Sequence, residues 1–354
     1  MNKGLEGIVV AETMISDVDG KQGTLLYRGI PVGELATERS FEDVVYLLWN
    51  GDLPSKQESA AFSEQLKAAR EIPEYAITII EQMPKVSTTM EVLRTVVSSM
   101  SSTWPPTIED QIKFAACFPT IIAYTHRDKQ ELPRIRPNAH LNHVENYMYM
   151  LTGERPVATQ ADALTAYLIL TMEHGMNAST FAARVVASTE STLTSAITGA
   201  LGAMSGPLHG GAPTEVLQLI ADVQNGESIE EVLRNKLENG EKLMGFGHRV
   251  YKTSDPRAEA LKRLLARLQD DDDALAQAVQ IEQKATELLH TYKPGRDLHV
   301  NVEFYAAALM DTLAIDHDLL TPTFCVSRIT GWCAHVQEQA QNNRIFRPDQ
   351  KYIG

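Results

Sequence analysis

Three histidines, each set in a glycine-rich segment, are the residues of this chain best suited to proton-transfer chemistry. Histidine donates or accepts a proton near neutral pH, and glycine lets the backbone come close to a ligand and turn sharply beside it. A carboxylate, Glu303, follows in residues 301–305. The histidines are His174 in residues 173–178, His209 in residues 206–212 and His248 in residues 244–251. Together these groups indicate proton transfer on a small polar substrate.

The position of His209 favours a neutral imidazole. The residue comes shortly before Pro213, a good first residue of a helix, and the partial positive charge at a helix N-terminus disfavours a cation nearby. A neutral His209 can donate a hydrogen bond to a developing enolate oxygen, as an oxyanion-hole donor does. The alternative is a loop histidine that caps a backbone group.

Two charged groups begin predicted helices. Asp255 and Pro256 form a helix-start signal that places Arg257 in the first turn, where the helix dipole disfavours a cation and an anionic ligand would explain its presence. Glu303 follows Asn301, a predicted N-cap, and the dipole there favours the ionised carboxylate that a general base requires. The alternative for Glu303 is an ordinary glutamate at a helix start.

Groups that bind carboxylates are also predicted. His174 ends the helix predicted over residues 161–174, which is closed by Gly175 as a left-handed cap. The dipole at that end favours a cation, which suits a substrate carboxylate. Arg328 and Arg347 are candidates for bidentate carboxylate binding, and the alternative is that both are simply solvated.

Composition limits the partners. The chain has 354 residues, 44% hydrophobic and 22% charged, which is ordinary for a globular protein. Its net charge of −14 disfavours nucleic acid as the main partner, because phosphate binding requires a basic surface. A small anionic ligand responds to local charge instead, and residues 248–296 are rich in cations.

Several functional classes lack their motifs. No HExxH or paired short spacing indicates zinc, and no GxSxG elbow indicates a serine nucleophile. Gly245 and Gly247 lack the third glycine of a dinucleotide fingerprint, because Val250 occupies its position. We therefore expect neither a metal nor a cofactor.

Location follows from similar arguments. The N-terminus lacks the apolar run of a signal peptide, and no stretch approaches the ~20 apolar residues of a membrane span. The three cysteines form no disulfide framework; Cys325 and Cys333 are predicted to be small core residues. A reducing cytoplasm is expected.

The hydrophobic pattern predicts a mostly α protein. Residues 8–15 and 24–27 are predicted to pair as a short N-terminal β-hairpin, and helical spacing continues nearly to the C-terminus. We predict a large helical domain formed by residues 1–212 and 316–354, and a smaller helical domain formed by residues 213–315.

Taken together, the chain resembles the citrate synthase family. The resemblance runs from residues 27–30 through the His209 segment, the His248 segment with Asp255-Pro256-Arg257 at its distance, and Glu303, to residues 346–348. Its length resembles the short dimeric form of bacteria and archaea. The resemblance implies a mostly α homodimer whose two domains close over acetyl-CoA and oxaloacetate, giving citrate and CoA without a metal.

The resemblance also assigns roles. It implies that Glu303 removes the methyl proton of acetyl-CoA, that His209 stabilises the enol and that His248 polarises the ketone of oxaloacetate. The resemblance assigns carboxylate binding to His174, Arg257 and Arg328, and also to Arg347, which reaches into the partner subunit's site. The candidate contacts of the CoA phosphates are Arg249, Lys252 and Lys293.

Glu303 departs from the aspartate that this family usually carries. The extra methylene moves the carboxylate by roughly one carbon–carbon bond, and a displacement of about an ångström can cost on the order of 10²-fold in rate. Either the helix has shifted to accommodate glutamate, or the protein condenses slowly or prefers another acyl group. The alternatives are therefore a 2-methylcitrate synthase that uses propionyl-CoA, and a paralogue that binds citrate or oxaloacetate with little turnover.

Overall fold

Helices form most of the chain in the computed structural model, which describes residues 3–210, 212–224, 228–248, 250–251, 253–268, 273–296 and 298–354. None of the helices within these residues is long and apolar enough to cross a bilayer. The α-helices are α1 Val32–Glu38, α2 Phe41–Asn50, α3 Lys56–Ala68, α4 Glu74–Gln82, α5 Thr89–Ser98, α6 Ile108–Lys129, α7 His143–Thr152, α8 Ala158–Thr171, α9 Ala178–Ala187, α10 Leu193–Met204, α11 Ala212–Gln224, α12 Ile229–Glu238, α13 Pro256–Leu268, α14 Asp273–Tyr292, α15 Val302–Thr312 and α16 Leu320–Gln341.

A small antiparallel sheet precedes the helices. Its strands are β1 Ser16–Asp19, β2 Thr24–Tyr27 and β3 Ile30–Pro31, in the order β1-β2-β3. The register pairs Ser16 with Tyr27 and Asp19 with Thr24. A hairpin was expected here, and its second strand is confirmed.

The predicted first strand over residues 8–15 is wrong, because pairing begins only at Ser16. The carboxylate of Asp19 fixes the turn by accepting from the backbone N–H groups of Lys21 and Gln22, at 2.8 and 2.9 Å. The turn therefore pairs the four residues before it with β2. The β-branched stretch upstream pairs with no strand in the described part of the chain, and Val9 is 85% exposed.

Helix α16 is the centre of the core. Residues on every side of it are buried, which is the pattern of a helix enclosed by others, and it packs against α2, α6, α8, α9 and α10. Cys325 and Cys333 lie on it as fully buried residues, as predicted. Arg328, also on α16, is a buried charge in this apolar setting.

The helix starts that flank the candidate residues are confirmed. Asn177 caps α9 by accepting from Thr180 N–H at 3.1 Å, and Asn301 caps α15 by accepting from Glu303 N–H at 3.0 Å. Asp255 accepts from Arg257 N–H at 3.0 Å at the start of α13. Local capping therefore places Arg257 and Glu303 in first turns.

The predicted end of α8 is wrong: the helix stops at Thr171 and not at His174. The backbone groups at this helix end form hydrogen bonds with side chains that are distant in sequence. Arg328 Nε donates to Thr171 O at 2.8 Å, and Glu173 N–H donates to the hydroxyl of Tyr27 at 3.1 Å. His174 consequently lies in a loop before Gly175, whose φ is +59°.

Candidate active site

Hydrogen bonds between residues 245–247 and residues 299–301 hold the His248 loop next to helix α15. Gly247 N–H donates to His299 O at 2.7 Å, and Asn301 N–H donates to Gly245 O at 2.8 Å. The side chain of Asn301 adds a bond from Nδ2 to Gly247 O at 2.9 Å. The loop that carries His248 and the first turn that carries Glu303 are thus held side by side.

The backbone fixes the tautomer of His248. Its Nδ1 accepts from Val250 N–H at 3.0 Å and from Tyr251 N–H at 3.2 Å. Since an imidazole nitrogen that accepts carries no proton, the proton of the neutral ring lies on Nε2. That Nε2 is 3.4 Å from Nη2 of Arg257. Two donors that converge in this way suit one acceptor oxygen of a ligand.

Arg257 is held in place by a buried carboxylate. It is 4% exposed, and Asp255 accepts from its Nε at 3.0 Å and from its Nη2 at 2.8 Å. Burial would raise the pKa of Asp255, but the ion pair with Arg257 outweighs it and the pKa is lowered. Asp255 also accepts from Val302 N–H at 3.1 Å, so that one carboxylate orients both Arg257 and the start of α15.

His174 lies beside this group. Its Nε2 is 3.0 Å from the hydroxyl of Tyr251, and its ring meets that of His248 edge to face, with centroids 5.3 Å apart. Burial and the charge of Arg257 hold the pKa of His174 well below its ordinary value. The expected cation is therefore wrong for the unliganded chain: the helix dipole that favoured it ends at Thr171, and burial next to an arginine opposes it.

His209 makes its contacts with the start of α9. Its Nε2 is 2.8 Å from Ser179 Oγ and accepts from Ser179 N–H at 3.4 Å. The Ser179 hydroxyl also accepts from Trp332 Nε1 at 3.1 Å and donates to Asn177 Oδ1 at 2.8 Å. The backbone N–H of Ser179 can only donate, so we assign Nε2 of His209 as its acceptor and place the ring proton on Nδ1.

The electrostatic setting keeps His209 neutral. Burial, together with the charge of Arg328, lowers the pKa of His209 to about 4. The neutral state was predicted from the helix that follows, but the first cause is burial. A neutral ring with Nδ1–H is a donor throughout the physiological pH range.

Glu303 is the carboxylate of the group. It is half-buried, and burial raises its pKa, while the charges of Arg257 and Arg328 act in the opposite direction. A raised carboxyl pKa brings the group closer to what a general base needs at neutral pH. Glu303 is thus a base candidate flanked by two buried guanidinium groups.

Arg328 is the common electrostatic neighbour. It is 2% exposed, and its charge lowers the pKa of both His174 and His209. Burial lowers its own pKa, opposed first by Glu173. The structure therefore gathers six predicted residues: the two buried arginines, Arg257 and Arg328, and the four around them, His174, His209, His248 and Glu303.

Two other predicted residues, Arg347 and Lys293, make no contact with this group among the described residues. Arg347 is exposed in the extended C-terminal segment, where its neighbour Phe346 packs on Phe181 with ring centroids 5.6 Å apart. Lys293 follows α14 and is half-exposed. Arg249 and Lys252 lie outside the described residues.

Sequence reasoning missed three residues of the site. Ser179 orients His209, the hydroxyl of Tyr251 contacts His174, and the carboxylate of Asp255 holds Arg257, although only its capping role was predicted. Tyr251 and Asp255 lie within ten residues of His248, which is a usable signal. Ser179 is 30 residues from His209 in sequence, and only the fold joins them.

A buried chain of charges supports the His174 loop. The carboxylate of Glu173 accepts from Ser16 Oγ at 3.0 Å and lies 3.0 Å from Nε2 of His335. The other ring nitrogen of His335 accepts from Arg184 Nε at 2.9 Å, and Arg184 pairs with Glu338. These groups tie the loop to α9, α16 and the N-terminal segment.

Known proteins resemble this chain over nearly its whole length. The family profile described as "Citrate synthase, C-terminal domain" matches residues 4–349. A citrate synthase of Deinococcus radiodurans is 37% identical over 361 residues, 99% of this chain and 95% of that protein. A 2-methylcitrate synthase of Mycobacterium tuberculosis is 38% identical over 362 residues, 100% of this chain and 91% of that protein.

A solved structure gives the same picture. The ternary complex of carboxymethyl coenzyme A and oxaloacetate with citrate synthase from Thermoplasma acidophilum has a TM-score of 0.92 and 28% identity, covering 100% of this chain and 96% of that one. The chain belongs to the citrate synthase family. The expected fold class, a mostly α citrate synthase-like fold with a short N-terminal β-hairpin, is confirmed.

Proposed function

We propose that this chain condenses acetyl-CoA with oxaloacetate and releases citrate and free CoA. The observation that carries the proposal is the pair of neutral imidazoles, His209 and His248, whose protonated nitrogens are set by fixed donors. Family membership supports the same reaction, as does a structural neighbour solved with oxaloacetate and a CoA analogue. The domain boundaries at residues 212/213 and 315/316, with closure of the two domains over substrate, belong to the proposal.

In the proposed chemistry, Glu303 takes a proton from the methyl carbon of acetyl-CoA. The electron pair left behind forms an enol or enolate, whose oxygen receives a hydrogen bond from Nδ1–H of His209. The nucleophilic carbon forms a bond to the ketone carbon of oxaloacetate, and the ketone oxygen takes the Nε2 proton of His248 and becomes a hydroxyl. Water then hydrolyses the thioester, giving citrate and the thiol of CoA, while Glu303 releases its proton to solvent and solvent returns one to His248.

The carboxylates of oxaloacetate are assigned to buried cations. Arg257 and Arg328 are pre-oriented by Asp255 Oδ1 and Oδ2 and by Thr171 O, respectively, so that little side-chain entropy is lost on binding. His174 completes this set as a neutral donor or acceptor beside Tyr251. Lys293, with Arg249 and Lys252, is our proposal for the CoA phosphates.

Thiol release tests the reaction. We expect free thiol from acetyl-CoA only when oxaloacetate is present. A paralogue that merely binds would show an oxaloacetate-dependent rise in the thermal midpoint with no thiol release. We also propose that no metal or other cofactor takes part and that the protein is cytoplasmic; thiol release undiminished by a chelator is the expected result for the metal.

We propose that glutamate at position 303 serves as the base, with α15 placed to accommodate its longer side chain. Glu303→Asp would then lower kcat with acetyl-CoA by about 10²-fold, the cost of a displacement of about an ångström. Steady-state kinetics with acetyl-CoA and propionyl-CoA measure this. A faster aspartate variant would mean that the wild-type carboxylate is misplaced.

The same kinetics address the second candidate. A relative of similar identity is a 2-methylcitrate synthase, and the two activities differ by one methylene in the acyl donor. A single methylene in an apolar pocket changes kcat/KM by about 10- to 200-fold. If kcat/KM of the wild type is higher with propionyl-CoA, the second candidate replaces the first.

We also propose a homodimer in which Arg347 enters the partner subunit's site. The C-terminal segment after α16 carries exposed apolar side chains, with Ile345 57% and Tyr352 88% exposed, and a partner subunit would cover them. Co-expression of Arg347→Ala with Glu303→Gln tests this. If Arg347 acts in trans, mixed dimers keep one complete site, and about a quarter of the wild-type activity returns; activity no higher than the sum of the two homodimers means that it acts in cis.

A further inference from the structure

The turn of the β1–β2 hairpin touches the segment that follows His248. A β-carbon at Gly20 would lie 2.1 Å from Val250 O and 2.7 Å from Val250 C, well inside the 3.0 Å that real β-carbons keep. The obstacle is backbone, which cannot move aside as a flexible side chain does. Gly20 therefore marks a direct backbone approach between the hairpin and the His248 segment.

A second glycine of the same turn faces the next residues of that segment. A β-carbon at Gly23 would lie 2.6 Å from Thr253 Oγ1 and 3.1 Å from Ser254 O, and its φ is +68°. Gly23 N–H donates to Asp19 O at 2.9 Å, and the Asp19 carboxylate holds the turn between them. The contact surface is thus presented by a turn with its own internal hydrogen bonds.

The other end of β1 contacts the His174 loop. Ser16 Oγ donates to Glu173 Oε1 at 3.0 Å, and Val18 Cγ2 lies at van der Waals distance, 3.4 Å, from a β-carbon placed on Gly175. One strand therefore spans from residues 173–175 to residues 250–254. The first segment carries His174 and the second follows His248, and they meet in the contact between His174 Nε2 and Tyr251 Oη at 3.0 Å.

The Val250 carbonyl is connected to the imidazole of His248 through one peptide group. Val250 C and O share a rigid plane with Tyr251 N–H, and that N–H is one of the two donors that hold Nδ1 of His248. A methyl group on Gly20 that displaces Val250 O must therefore rotate the Tyr251 N–H away from the ring. The fixed proton on Nε2 depends on this donor.

We propose that the β1–β2 hairpin is a positioning element of the oxaloacetate side of the site, and that Gly20 and Gly23 are positioning residues that set the His248 segment at its distance from His174. The functional part of the inference rests on the proposed condensation. The hairpin touches no reacting atom; it acts through Val250, Tyr251 and Thr253.

Matched glycine variants test the inference. Gly20→Ala is compared with Gly33→Ala, since neither glycine has a positive φ and nothing lies within 4 Å of a β-carbon at Gly33. Gly23→Ala is compared with Gly29→Ala, whose φ of +83° brings the same backbone strain without a contact. The first control shows the effect of a methyl group that meets no neighbour, and the second adds the strain of a positive φ without a contact.

The expected result is a loss that is specific to oxaloacetate. We expect kcat/KM for oxaloacetate to fall about 10²-fold in Gly20→Ala, as for other displacements of about an ångström, and less in Gly23→Ala, whose nearest obstacle is a side chain. The KM for acetyl-CoA should change less than about twofold, because the enol donor His209 is held by α9 instead. Kinetics of Gly20→Ala equal to those of Gly33→Ala would overturn the proposal.

Two further measurements keep the test decisive. Hydrogen exchange of the peptide that covers residues 250–257 should be faster in Gly20→Ala than in Gly33→Ala, and this measurement needs no ligand. A wild type that releases no thiol would therefore refute the proposed condensation, while the role of the hairpin could still be tested by exchange. Ser16→Ala creates no clash and removes only the bond to Glu173, about 1 kcal/mol. It should lower kcat/KM for oxaloacetate to about a fifth, since 1.4 kcal/mol is a factor of ten; no change in kinetics and in exchange contradicts the proposal.

Discussion

The loops that carry His209 and His248 solve the same problem with opposite nitrogens. At His209, Nε2 accepts from Ser179 and Nδ1 keeps the proton; at His248, Nδ1 accepts from two backbone amides and Nε2 keeps it. Each ring can therefore present one donor, from a different edge. The comparison teaches that the donor nitrogen of each histidine is set by the N–H groups that contact its ring.

The two loops also differ in the groups that hold each histidine ring in place. His248 is fixed by its own backbone, within three residues, so that its tautomer survives any side-chain change that preserves the loop. The ring of His209 depends on the side chain and the backbone N–H of Ser179 in α9, 30 residues away. Trp332 of α16 in turn donates a hydrogen bond to the Ser179 hydroxyl. The first device is local and the second is tertiary.

The largest expected effect comes from amide replacements that keep one nitrogen position. An asparagine amide lies near the position of Nδ1 and a glutamine amide near that of Nε2. At position 209 we expect Asn to retain more activity than Gln, and at position 248 the reverse, with the poorer replacement losing about 10²–10³-fold in kcat, the value of one oxyanion-type donor.

Steady-state kinetics of the four variants, with thermal midpoints to confirm folding, measure this ranking. The same order at both positions would break the comparison, because it would mean that both rings donate from one nitrogen. Wild-type rates in all four would remove both histidines from the chemistry.

A smaller effect is expected from Ser179→Ala. The variant removes the hydroxyl that helps to hold His209 but keeps the backbone N–H, so we expect a loss of about fivefold in kcat, from a hydrogen bond of about 1 kcal/mol to a buried ring. The KM for oxaloacetate should be unchanged, because His248 does not share this partner. Thr180→Ser, at the adjacent position of α9, is the control for changes in packing. If Ser179→Ala changes only the KM for oxaloacetate, the two histidines are not held by independent partners and the comparison is wrong.

The smallest expected effect is that the ring of His209 does not titrate between pH 8 and pH 5. Since the pKa of His209 is lowered to about 4, its ring should stay neutral, with the proton on Nδ1, as pH falls from 8 to 5. Nitrogen NMR of labelled histidine, assigned with His209→Asn, reports the tautomer directly. The acid limb of kcat/KM then belongs to Glu303, whose pKa is raised, so that activity is lost as pH falls toward that value; protonation of His209 near pH 6 would contradict this.

Local signals carried most of the prediction. Asn177, Asn301 and Asp255 cap helices through side-chain contacts to residues two or three positions ahead, so sequence alone places Arg257 and Glu303 in first turns. The chemistry of the site could be predicted for the same reason, because its glycine–histidine segments are short and distinctive.

Most of what failed depends on distant partners. The helix end at Thr171 is decided by Arg328 and Tyr27, more than 140 residues away in sequence. The first strand failed for a local reason instead, because the carboxylate of Asp19 fixes where the turn begins. The tautomers and the role of Ser179 need three-dimensional neighbours. A charge state argued from a helix dipole, as for His174, is reversed once burial and a nearby arginine are known.

The indole of Trp332 has an optical consequence. It is fully buried, and its N–H is bonded to the same serine oxygen that faces the ring of His209. Any ligand that shifts this serine alters the polarity at the indole nitrogen, and with it the emission wavelength. The fold thus contains a fluorophore two hydrogen bonds from a candidate catalytic group, which makes occupancy of the site readable without a label.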